Sequence, residues 1–139
     1  MDTFQLRLER YFFTESMVRA NPEHDPAGER VGSKLVPTFF CKPIADRPSA
    51  YTLEMTVRLD EATSVNPPYF FSLAAFAVVV APPHVNPALA YEAVSGTGFN
   101  VLVGAIREHL AAITGRGPWG GFVFGPMTPP PPAQALNEP

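Results

Sequence analysis

The 139-residue sequence predicts an α+β fold, in which four strands form an antiparallel sheet and two helices follow them. Four apolar segments of strand character succeed one another before Pro82-Pro83, with no helical stretch between them. Strands joined without crossover helices pair antiparallel. Helical spacing and capping signals appear only afterwards, between Pro87 and Thr114. A third observation concerns charge: from Ala62 to Asn137 only Glu92, Arg107, Glu108 and Arg116 are ionised. A soluble domain normally spreads charge over its surface. The uncharged half is therefore expected to be covered by another subunit, a partner or an apolar client.

The first strand is read over Thr3–Thr14, where Phe4, Leu6 and Leu8 alternate with Gln5, Arg7 and Glu9. Asn21–Glu29, rich in Pro, Gly and acids, follows as an exposed loop. Lys34–Ile44 is apolar enough for a second strand. Pro37 and Pro43 cannot donate to a ladder and confine that strand to an edge or a bulge. Tyr51–Asp60 alternates throughout, with Tyr51, Leu53, Met55, Val57 and Leu59 on one face and Thr52, Glu54, Thr56, Arg58 and Asp60 on the other. Leu53, Met55 and Val57 are assigned to the core. Asn66-Pro67-Pro68 then turns the chain into Tyr69–Ala81, a fourth strand apolar on both faces and so expected to be covered on both. Its 13 residues fall short of the roughly 20 a membrane-spanning helix needs, and Pro82-Pro83 stops it.

Pro87–Ser95 reads as a short helix with Pro in its first turn and Gly96 beyond its end. Phe99–Thr114 reads as a longer one, with Asn100 as N-cap and Gly115 closing it. Apolar residues cover most of its circumference, which places it between the sheet and another subunit. Its candidate interface residues are Leu102, Ile106, Leu110 and Ile113. Gly115–Gly125 is rich in glycine and aromatics, and Pro129–Pro132 is a four-proline run. One domain over 1–127 and a flexible proline-rich tail over 128–139 are expected.

Composition excludes several functions. The net charge of −3 leaves no basic stripe for nucleic acid. Single Cys41 makes no intramolecular disulfide, fits a reducing compartment and is expected to be buried and inert. Met1–Arg10 lacks the continuous apolar stretch of a signal peptide, so a cytoplasmic location without membrane insertion is expected. His24, His84 and His109 have no second ligand at metal spacing, so no metal is expected. GRGPWGG lacks the Lys-Ser/Thr ending of a phosphate loop and follows a helix rather than leading into one. No catalytic residue and no cofactor are assigned, and the chain is read as non-enzymatic.

Three stretches carry a family resemblance. TFQLRLERYFFTESMVRANP resembles an opening strand that begins Thr-Phe-Gln, continues with a basic-aromatic stretch and ends near Ala-Pro-Asn. YTLEMTVRLD is similar to a third strand of the type Tyr-Glu-Val-x-Leu-x-Val-x-Val. In FNVLVGAIREHLAAITGRGPWGGFVFGPM, residues Asn100, Leu102, Arg107, Glu108, Gly117, Trp119 and Pro126 fall on a pattern of Asn, Arg-Glu, Arg-Gly, an aromatic and Pro. These are features of the SecB family of protein-export chaperones, and the resemblance covers nearly the whole chain outside the tail.

The resemblance implies a Greek-key sheet with two C-terminal helices packed on one side, assembled as a tetramer from dimers with the long helices at the tetramer interface. It implies an ATP-independent holdase that binds non-native polypeptides, keeps preproteins competent for export and passes them to SecA. Candidate client-binding residues are Phe39, Phe40, Trp119, Phe122 and Phe124, and Glu15 is the candidate for docking on SecA. Arg19 and Leu73 stand where the family carries acids, Gly104-Ala105 replaces Pro-Tyr, and the acidic tail is replaced by a proline-rich one. These departures put SecA handover in question. They leave open an adaptor or a specialised chaperone for one dedicated partner, such as a toxin–antitoxin pair.

Overall fold

A computed structural model describes residues 4–29, 35–59, 61–62, 64–125 and 127; the tail expected over 128–139 and Pro126 lie outside the described residues. The elements are β1 (Arg7–Ala20), β2 (Leu35–Pro43), β3 (Ala50–Leu59), β4 (Tyr69–Val80) and α1 (Pro87–Thr114). The sheet order is β1-β4-β3-β2, antiparallel throughout. Strands β2, β3 and β4 form a meander and β1 returns beside β4, which is Greek-key order. Strand β2 lies at an edge, as its two prolines require.

β1 begins and ends later than its alternation predicts. Register shifts between Leu8 and Arg10 and between Phe13 and Glu15 each insert a residue, which resets the period of two. The strand then continues to Ala20. Arg47, in the turn between β2 and β3, donates to both carboxylate oxygens of Glu9 at 2.7 and 2.8 Å. The same guanidinium holds the Glu9 carboxyl below its usual range.

The two expected helices are one. α1 runs unbroken for 28 residues from an Asn86 cap, whose side chain accepts from the Ala88 amide at 2.9 Å. Asn100 is therefore an exposed residue in mid-helix and caps nothing. Gly96 and Gly98 do not end the helix, because Gly98 serves a close approach. A Cβ at Gly98 would collide with Leu53 Cδ2.

Ala90, Val94, Gly98, Leu102, Ile106, Leu110 and Thr114 form a ladder of buried residues four apart, which packs on the sheet. Leu53, Met55, Val57, Phe71, Leu73, Phe99 and Cys41 complete the core. Each fully buried Leu or Ile contributes about 2 kcal/mol. Helix α1 has the length and hydropathy to cross a membrane by composition alone, but 44% of its most apolar window is buried within this fold. The second face of β4 differs from expectation. Phe70, Ser72, Ala74, Phe76 and Val80 are only half-buried, and no described element covers them.

Candidate functional site

The segment after α1 is held by a partly buried polar network that begins in the 21–29 loop. The Asn21 amide donates to the Pro68 carbonyl at 2.9 Å, and its side chain donates to Pro67 at 2.7 Å. Asn66, in the left-handed region at φ 55°, exchanges hydrogen bonds with Asp25: its Nδ2 donates to the Asp25 carbonyl and its Oδ1 accepts from the Asp25 amide, both at 2.8 Å. Asn tolerates that conformation better than most residues. The loop expected to be merely exposed therefore carries buried Asn21 and a half-buried His24, whose Nδ1 donates to the Asn66 carbonyl at 3.0 Å.

Trp119 is seated on this loop. Its Nε1 donates to the Asn21 carbonyl at 2.9 Å, and its ring and that of His24 form a T-shaped pair with centroids 5.0 Å apart. Tyr69, 2% exposed, organises the turn beneath. Its hydroxyl lies 2.7 Å from the Gly120 carbonyl and 3.2 Å from that of Thr114, and accepts from the Trp119 amide at 3.1 Å. Gly117 is required here, since a Cβ would lie 2.5 Å from the Tyr69 hydroxyl. The Thr114 hydroxyl donates to Leu110 and accepts from the Phe122 amide, both at 2.7 Å. Together these bonds shape a cleft of about 270 Å³ lined by His24, Pro26, Tyr69, Trp119 and Phe122. A shallower groove of about 630 Å³ lies at the other end of the sheet, between Gln5–Leu8 and Val80–Pro83.

The client-binding candidates separate into three places. Trp119 and Phe122 meet at the cleft, with Phe122 tilted against Phe71 at 5.6 Å. Phe39 and Phe124 are core residues, 7% and 5% exposed; Phe39 meets the ring of Phe99 edge-on at 5.2 Å. Arg107 donates to the Phe124 carbonyl and lies over its ring. Phe40 projects from the face opposite α1, with the Lys42 ammonium 5.7 Å from its ring centre.

The helix candidates need correction. Leu102, Ile106 and Leu110 are 0% exposed and lie in the core of a single chain, so they have no surface to offer another subunit. Ile113 alone of the four is exposed, at 38%. It belongs to the row just before the buried ladder: Leu89, Ala93, Thr97, Val101, Ala105, His109 and Ile113. That row is uncharged, and Leu89 and Val101 are exposed. His109 turns it towards β1, where its ring stacks on Phe13 at 4.1 Å and its Nε2 lies 2.8 Å from the Ser16 hydroxyl.

β1 supplies exposed apolar residues that the sequence reading passed over. Leu8 and Tyr11 face the α1 side, Phe12 and Met17 the other, and each is roughly 40–50% exposed. The outer edge of β1 pairs with no described strand. The repeated aromatics Tyr11-Phe12-Phe13 were the available signal, since a strand apolar on both faces at an edge implies a partner. Glu15 is exposed and accepts from Ser72 at 2.7 Å; Arg19 pairs with Glu61 at 3.5 Å, and Leu73 faces the core. Cys41 is fully buried, and desolvation pushes its thiol up to about 12. Among the described residues no three His, Cys, Asp or Glu side chains gather where they could hold a metal ion.

The four-stranded antiparallel sheet with one long helix after it is SecB-like in fold. The chain is similar to the solved structure of the Mycobacterium tuberculosis Rv1957 SecB-like chaperone in complex with a ChAD peptide from the Rv1956 HigA1 antitoxin. The TM-score is 0.54 at 16% identity, over 90% of this chain and 92% of that one. A Streptococcus agalactiae protein of unknown function is similar with a TM-score of 0.51 at 11% identity, over 89% and 99%. No protein-family model and no curated protein matches the sequence.

Proposed function

We propose that the chain is a SecB-like, ATP-independent holdase that binds non-native polypeptides as a homo-oligomer and performs no catalysis. One observation carries the reading: on a SecB-like fold, large apolar side chains stay at the surface, at Leu8, Tyr11, Phe12 and Met17 on the strand with the unpaired edge and at Val101 on α1. Such surfaces drive association through displaced water and edge hydrogen bonds, and what self-assembly leaves uncovered is open to unfolded chains. The cleft of Trp119 and Phe122 is the client contact, with the Gln5–Leu8 groove as a second. Cytoplasmic residence and service to export go with this reading.

Assembly uses two surfaces. A tetramer built from dimers needs two different self-complementary patches on each chain. The free edge of β1 supplies one, and the uncharged α1 row through Val101 and Ile113 supplies the other. Arg19 brings the opposite charge to the strand that carries Glu15 and opposes docking on SecA there.

A dedicated client is the second reading, favoured by one observation: Rv1957 was solved with a peptide from an antitoxin. The two readings separate in an aggregation assay with several unrelated unfolded proteins. Suppression of most of them, lowered in a Trp119→Ala, Phe122→Ser variant of unchanged mass, supports the general holdase. Failure on all, with tight capture of a single polypeptide, supports the dedicated chaperone or adaptor.

A further inference from the structure

We propose that the sheet face away from α1 is a separate docking surface for an acidic, apolar polypeptide segment. Its residues fall in rows across the strands. One row reads Phe12, Phe76, Glu54, Phe40 and the next reads Arg10, Val78, Thr52, Lys42. Phe12 and Phe76 stack at 5.2 Å, so the first row is largely aromatic. In the second row, cations stand at both ends.

Those cations are held against the aromatics. Arg10 lies 5.1 Å from the Phe12 ring centre and Lys42 5.7 Å from that of Phe40; further along, Arg19 lies 4.6 Å from Phe70. Cation–π contact positions a guanidinium or ammonium over apolar surface without neutralising it. Arg58 is exposed on the same face, and among the described residues no carboxylate pairs with Arg10, Lys42 or Arg58. Glu15 and Glu54 face the same way, and Glu61 pairs with Arg19 at 3.5 Å.

A protein of net charge −3 has thus gathered cations around an apolar face. Charge complementarity selects a partner with carboxylates flanking apolar side chains. A second copy of the chain is disfavoured there, since two such faces would oppose like charges. Exposed charges act within a Debye length of about 8 Å at physiological salt, so binding will weaken as salt rises. The surface lies on the opposite side of the sheet from α1, and its occupation does not depend on the holdase reading.

The test uses fluorescence anisotropy with two labelled peptides of equal length and apolar content, one carrying Asp and Glu, the other Lys and Arg. The full chain should bind the acidic peptide preferentially and lose it as salt is raised. A triple Arg10→Glu, Lys42→Glu, Arg58→Glu variant should bind it roughly tenfold more weakly, as the sum of several exposed contacts. Arg116→Glu, beyond the far end of α1, should leave it unchanged. Suppression of aggregation of an uncharged unfolded client by the triple variant reads the cleft independently. Equal binding of both peptides, or no loss in the triple variant, overturns the proposal. So does a fall in light-scattering mass on charge reversal, which marks the face as a chain–chain contact. Stronger capture by anionic lipid vesicles than by the acidic peptide overturns it too.

Discussion

Gly98 of α1 lies directly over Leu53 of β3, close enough that no Cβ fits between the helix backbone and the leucine side chain. Leu53 is fully buried and surrounded by core, so it has little room to retreat. This contact sets the depth at which the helix beds on the sheet. It also accounts for a glycine in mid-helix, where Ala would be favoured by about 1 kcal/mol.

Two kinds of glycine in one helix give the first prediction. At Gly96 and Gly104 an added Cβ meets nothing within 4 Å. Alanine at either position should raise stability by up to about 1 kcal/mol. Gly98→Ala should lower it, with an overpacking cost of about 1–3 kcal/mol outweighing the propensity gain. Urea unfolding of the three variants checks this. A stabilised Gly98→Ala protein would mean that the helix sits further from the sheet.

The second prediction concerns the cleft's foundation. Tyr69→Phe removes a hydroxyl that meets three backbone groups, at Thr114, Trp119 and Gly120. The Thr114 carbonyl keeps the Gly117 amide at 2.8 Å, and leaving the Trp119 amide and the Gly120 carbonyl without the hydroxyl should cost about 1–3 kcal/mol. Trp119→Phe keeps an aromatic ring but removes the indole donor, leaving the Asn21 carbonyl with the His24 amide alone at 3.2 Å, and should cost about 1 kcal/mol. Both should loosen the segment around 117–124, which amide hydrogen exchange would report as faster exchange at Trp119 and Phe122.

Strand positions were legible where one face is wet and the other dry. Tyr51–Leu59 shows that alternation in letters and burial alike, and Pro37 with Pro43 placed β2 at an edge. β1 was cut short because its bulges break the period that identifies strands. The helix was divided because Gly96 looks like a terminator and Asn100 like a cap locally, while the reason for the neighbouring Gly98 lies across the fold at Leu53. The same limit applied to the site. Composition marks α1 as apolar all round, but only packing shows that Leu102, Ile106 and Leu110 face inward and Val101 outward. Adjacent Phe39 and Phe40 were bound to point to opposite faces. Which of them is core depends on where α1 lies.

The third prediction follows from Cys41. Burial raises its thiol from an ordinary 9.0 to about 12. A raised folded value means that the associated stability is fully present below pH 9.0 and is lost as pH climbs towards 12. Burial, with a smaller contribution from the Cys41 charge, also raises Tyr51 and Tyr91, so the neighbourhood titrates late as a group. Unfolding midpoints should fall steeply above pH 9, and Cys41→Val should flatten part of that fall. Thiol reagents at neutral pH should react with Cys41 only on unfolding. Rapid modification of the native protein would contradict the burial.

Assembly gives the last prediction. Val101 and Ile113 share the uncharged α1 row and are 43% and 38% exposed in the single chain. Removing their apolar surface from water on association is worth about 25 cal/mol per Å², whereas a carboxylate buried at their positions is penalised by several kcal/mol. A Val101→Asp, Ile113→Asp double variant should therefore fold as the parent does but halve in light-scattering mass. Ile106→Asp places a charge in the core instead and should unfold the monomer, so its failure to assemble says nothing about the interface. The row through Val101 and the edge of β1 are physically separate requirements. Met17→Asp, which replaces an exposed apolar side chain of β1 with a charge and leaves the backbone donors in place, tests the edge on its own. If the helix variant halves the mass and the β1 variant halves it again when combined, each surface holds one of the two contacts that a dimer of dimers needs. If neither lowers the mass while the sheet and helix signals persist, the chains meet elsewhere. The uncharged row would then be left for a client or partner.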